Sequence, residues 1–123
     1  MEKAIRELAD RLRSMPQSRL ARVDDRLGGQ TLSAASHELA QWCAGAAAGV
    51  GRQGEAAGLK VPVVPRLSDL ACGDQVQVLG RELIAVLATV DGATPVWLEG
   101  SWGTAAEVGA EFAERVDVLR ASA

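Results

Sequence analysis

The sequence predicts an all-α fold, a compact bundle of four or five helices with one extended proline-containing crossover and a short loop or hairpin before the last helix. Three observations predict it. Apolar residues recur at intervals of three and four over separate stretches, the spacing that lines one face of an α-helix. Prolines and paired glycines fall between those stretches, where helices stop. The 123 residues, 48% apolar and 24% charged, suffice for one domain with a core that needs no covalent staples.

Ile5, Leu8, Leu12 and Met15 share one helical face, so residues 2–14 read as an amphipathic helix that Pro16 ends. Leu20, Val23 and Leu27 predict a second, short helix stopped by Gly28 and Gly29. The third should open at Thr31, whose hydroxyl can cap it, and carry the stripe Leu32, Ala35, Leu39, Trp42, Ala46 and Val50. Residues 51–58 have three glycines and no apolar period, and Pro62 and Pro65 forbid a continuous helix, so 51–67 reads as the extended crossover.

Asp74 can cap a fourth helix with Gln77 reciprocating, and Val76, Leu79, Leu83, Val86, Leu87 and Val90 are its stripe. Val76 and Val78 alternate with glutamines, so a strand over 74–80 is the alternative there. Residues 94–104 read as a loop or small hairpin turning at Glu99 to Ser101. Thr104 caps the last helix, with Ala105, Val108, Phe112, Val116 and Leu119 inward. Leu39, Leu83 and Leu87 are expected to meet in one interior.

Composition bounds the function. Twenty-two alanines, no asparagine and eleven arginines against two lysines suit a GC-rich bacterial genome. The opening helix is charged at regular intervals, and the longest uncharged stretch, 39–51, is too short to span a bilayer, so a cytoplasmic chain without membrane association is expected. Cys43 and Cys72 have no neighbouring cysteine or histidine at ligand spacing. Reduced, buried thiols are expected, with a disulfide as the alternative.

No constellation names a reaction. His37-Glu-Leu-Ala-Gln41 approaches the zinc pattern His-Glu-X-X-His, but the second histidine is a glutamine and the chain has no other histidine. At about 100° per residue, Cys43 faces the core and His37 points outward to solvent, so the two cannot act together. Glu107, Glu111 and Glu114 lie on one flank of the last helix and read as a solvated face. No metal and no cofactor is expected, and Pro62 and Pro65 are read as parts of a stiff connector.

Charge is uneven: residues 1–27 carry seven basic and five acidic side chains, net +2, and the remainder six and eleven, net −5. Arg19, Arg22 and Arg26 form a basic edge that could touch phosphate. Asp24, Asp25 and the overall net charge of −3 argue against nucleic acid as the partner.

The third helix also carries Ala44, Gly45, Ala48 and Gly49 away from its leucine stripe. Small residues let backbones approach closely, and a second such face predicts a partner chain. Trp97 and Trp102 supply two of four aromatic side chains and either plug the core or add a binding edge. The expected function is a non-enzymatic protein–protein interaction module, a homo-oligomer or the partner of another protein, with a two-fold dimer as the specific expectation. The alternatives are a small-molecule-binding or catalytic subunit, with a pocket near Trp97, Trp102 and the glutamate flank, and a nucleic-acid-associated regulator using the arginines.

Overall fold

Ile5, Leu8 and Leu12 are almost wholly withdrawn from solvent, as the spacing predicts, and Ala9 joins them, in helix α1 (Glu2–Ser14) of a computed structural model that describes residues 1–51 and 61–123. Four residues of α2 (Gln17–Leu20) follow Pro16. Strands β1 (Val23–Asp24) and β2 (Gln30–Thr31) then pair antiparallel around a 3-10 turn at Asp25–Leu27. Next come α3 (Leu32–Gly49) and, after a 3-10 turn at Asp69–Ala71, α4 (Cys72–Leu87). A β3 (Pro95–Leu98)–β4 (Ser101–Thr104) hairpin leads into α5 (Ala105–Ser122).

The described residues are therefore mostly helical, but the two small antiparallel sheets among them correct the all-α expectation. The expected second helix is the clearest departure. Only its first turn forms, Val23 stands 60% exposed, and Leu20 and Leu27 are buried from different elements. The Asp24 carboxylate accepts the Arg26 backbone N–H at 2.9 Å, and Gly28 and Gly29 take φ of 67° and 81°. These local bonds and left-handed residues reverse the chain where a helix would continue.

Thr31 and Thr104 cap α3 and α5 as predicted, accepting from the backbone N–H groups of Ala34 at 3.0 Å and Glu107 at 3.2 Å. Asp74 does not cap α4, which starts two residues earlier. Asp74 instead accepts from Arg13 Nε at 2.7 Å, and Gln77 accepts from the same guanidinium, so the pair ties α4 to α1. Residues 74–80 are helical, and α4 stops at Leu87, three residues short of the expected end.

Two glycines let α1 lie against α4. A Cβ at Gly73 would stand 2.9 Å from the Ala9 carbonyl oxygen, and one at Gly80 would stand 3.0 Å from Ile5. Spaced by seven, they share one face of α4. Against this pair sits α3, buried at Leu39, Trp42, Cys43 and Ala46, with Phe112 and Val116 of α5 beyond. Trp42 and Phe112 tilt together at 6.1 Å between ring centroids, and Arg115 stacks over Trp42 at 4.8 Å. Leu39 and Leu83 meet in this core, with Leu87 at its edge.

Of the expected crossover, 51–67, residues 52–60 lie outside the described residues, and residues 61–68 contain neither helix nor strand. Polar bonds fix the end of that segment. Arg66 donates to Ser33 Oγ at 3.0 Å, Ser33 donates to Asp69 at 2.8 Å, and Gln17 donates to the same carboxylate at 3.1 Å.

Candidate interaction groove

His37 and Gln41 stand one turn apart on α3, away from its leucine stripe, and both reach residues 61–68. Gln41 donates to the Pro62 carbonyl at 2.9 Å and accepts from the Val64 N–H at 2.8 Å, as a paired strand would. His37 Nε2 lies 2.9 Å from the Val64 carbonyl oxygen, and Gln75 of α4 donates to the Pro65 carbonyl at 2.8 Å. Residues 61–68 lie in neither helix nor strand, so these carbonyls have no ladder partner and take side-chain donors instead. This corrects the expectation of a solvated His37: the ring is half-buried and anchored. The broken zinc pattern serves as a backbone clamp.

Clamped there, the segment turns Val64 inward onto Ala40 and Ala44 and leaves Val63 85% exposed. Between the segment, α3 and α4 runs an open apolar groove of about 470 Å³. Ala44, Ala47 and Ala48 form its floor, Pro62 to Pro65 one wall, and Val78 and Leu79 the other, with Asp74 and Glu82 at the rim. Val78 is 64% exposed, and Val61, Leu67 and Leu70 add further exposed apolar surface nearby in sequence.

The predicted small-residue flank divides at this point. Ala44 and Ala48 reach the groove. Gly45 and Gly49 are taken up within the chain. A Cβ at Gly45 would touch Leu98 and Val61 at 3.6 Å, and one at Gly49 would fall 1.8 Å from the Trp97 carbonyl oxygen. The β3–β4 hairpin therefore rests directly on the backbone of α3, held by a Val50–Val96 bridge and by Gly51 N–H donating to Pro95 at 2.9 Å. Its turn is Glu99-Gly100, with φ of 52° and 78°. Positive φ at both positions is the type I′ pattern that matches strand twist.

Trp97 and Trp102 face each other across that hairpin at 5.1 Å, edge to face. Trp97 is half-buried and Trp102 is exposed. The pocket expected near them and the glutamate flank is not one space: Trp97 lines a cavity with Trp42 and Glu38, whereas Glu111 and Glu114 line another with Arg26 and Arg115. Glu107 is used in the Thr104 cap and Glu111 pairs with Arg115 at 3.1 Å. No cluster of three metal-ligating side chains occurs among the described residues.

Both cysteines are buried and unbridged. Burial pushes the Cys43 thiol up to about 12, against a weaker opposite pull from Arg115, and raises Cys72 as well. Thiols held protonated this way are poor nucleophiles. Arg19, Arg22 and Arg26 do not share a helix as expected, but they border one pocket beside the 3-10 turn.

Sequence reasoning missed the groove because its walls come from segments distant in the chain. The usable signal was the polar pair His37 and Gln41, four apart and off the stripe, facing a proline segment whose carbonyls needed donors. No helix among the described residues is long and apolar enough to cross a membrane. Comparison with protein-family models, with curated proteins and with solved structures finds no match to this chain.

Proposed function

We propose that this chain is a non-enzymatic protein–protein interaction module that self-associates as a two-fold dimer through the groove between α3, α4 and residues 61–68. One observation carries the reading: Val63, the most exposed large apolar side chain described, stands beside a groove floored by alanines on the same face. A two-fold axis presents knob and groove from each chain to the other, so one contact is made twice. A stable interface needs roughly 800 Å² from each partner. Val61, Leu67, Leu70 and Val78 extend the apolar surface in support. A cytoplasmic location accords with two free, buried thiols.

Sedimentation at tens of micromolar tests the reading. The parent protein is expected to be a dimer, and Ala48→Arg and Val63→Asp to be monomers with unchanged helicity. A monomeric parent refutes self-association. A dimer indifferent to both substitutions moves the interface away from the groove.

A further inference from the structure

The dimer reading leaves unused the two least engaged arginines near the 3-10 turn. Arg13, Arg66, Arg81, Arg115 and Arg120 each pair with a carboxylate. Arg19 and Arg22 have no carboxylate within ion-pair distance and make no side-chain hydrogen bond among the described residues. Both border a partly enclosed pocket of about 400 Å³ formed where α2, the 3-10 turn, the start of α3 and the end of α5 converge.

A third guanidinium completes the wall. Arg26 is fixed by the Asp24 carboxylate at 3.2 and 3.3 Å and by the Ala121 carbonyl at 3.2 Å. Arg26 is also the main reason the Asp24 carboxyl lies below its ordinary range. Ser122 lines the same pocket, is 8% exposed, and its hydroxyl completes no hydrogen bond. It is near enough to Asp24 to lower that carboxyl slightly, but not in bonding geometry.

From these groups we infer that Arg19, Arg22 and Arg26 hold a small ligand bearing a phosphate monoester. Asp24 neutralises Arg26, and Asp25 offsets one of the other two charges, which leaves the pocket at net +1. That balance suits one doubly or singly charged anion, whose oxygens a guanidinium fork can grip in pairs. A polyanion would meet Asp25 and a chain of net charge −3. The volume is that of a ligand pocket and leaves room for a sugar-sized body beside the phosphate.

Titration with inorganic phosphate and with glucose 6-phosphate, at constant ionic strength and against chloride, tests the inference. Saturable binding of the monoester is expected. Arg19→Gln and Arg22→Gln should each weaken it tenfold or more, as roughly the loss of a charge-assisted hydrogen bond requires. Arg6→Gln, on the exposed side of α1, should leave it unchanged, and circular dichroism checks that every variant remains folded. The inference is overturned by the absence of saturable binding, by an equal response to chloride, or by equal loss with Arg6→Gln. Tighter binding of a short single-stranded oligonucleotide than of the monoester also overturns it, in favour of nucleic acid. All of these readouts are independent of oligomeric state.

Discussion

Replacing Gly49 by alanine should destabilise the protein, although the same change normally strengthens a helix. The Cβ would fall 1.8 Å from the Trp97 carbonyl oxygen and 2.8 Å from its carbon. Ordinary contact begins at 3.4 Å, so β3 must retreat by roughly 1.5 Å to restore normal packing. A retreat of that size breaks the 2.9 Å bond from Gly51 N–H to Pro95 and the Val50–Val96 bridge. The lost hydrogen bond costs about 1 kcal/mol. Overpacking adds about 1–3 kcal/mol, and the gain in helix propensity returns about 1 kcal/mol. The net expectation is a loss of about 1–3 kcal/mol.

Gly109 supplies the control, because it lies inside α5 and nothing stands within 4 Å of its would-be Cβ. Gly109→Ala should stabilise by about 0.5–1 kcal/mol. Urea denaturation followed by tryptophan fluorescence reads both, with the slope checked for constancy so that midpoints report stability. Opposite signs are expected. A Gly49→Ala protein as stable as the parent would show that the hairpin does not press on α3, and the reasoning fails.

Two further outcomes follow from the clamp and the core. Gln41→Ala should remove both bonds to residues 61–68, cost about 1–2 kcal/mol, and expose the Val64 amide to hydrogen exchange; unchanged protection at Val64 would refute the clamp. The Cys43 thiol is held at about 12 when folded against 9.0 for the unperturbed group, so the folded state keeps a proton that the unfolded chain releases. Stability from this source is complete below pH 9.0 and is lost as pH rises toward about 12. Cys43→Ala should flatten that alkaline limb, with Cys72 contributing a residual slope of the same sign. A parent-minus-variant difference that does not change across that window counts against a desolvated thiol.

Legibility in the sequence depended on whether a residue's partner lay nearby in the chain. Ile5, Leu8 and Leu12 announce α1, and Thr31 and Thr104 mark helix starts, because spacing and capping are local. Residues 17–31 misled for a local reason of another kind. Leu20 and Leu27 fit a helical period, but the Asp24 side chain and two glycines at positive φ offered a tighter reversal. Asp74 resembled a cap because the sequence cannot display Arg13 beside it. A helical wheel points His37 to solvent because it contains only α3 and not Val64.

The small residues of α3 make the same point more sharply, since Ala48 and Gly49 are neighbours with one compositional meaning and two structural ones. Gly49 is small because another strand's backbone occupies the place of its side chain. Ala48 borders an open groove, where a larger side chain would have room. Steric necessity therefore explains the glycine but not the alanine. If the groove is a dimer interface, the two positions should separate cleanly: Gly49→Ala lowers stability through β3, while Ala48→Arg leaves the fold intact and splits the dimer. Loss of stability at both positions would mean that Ala48 is packed within its own chain, and loss of association at neither would leave the groove without a partner chain.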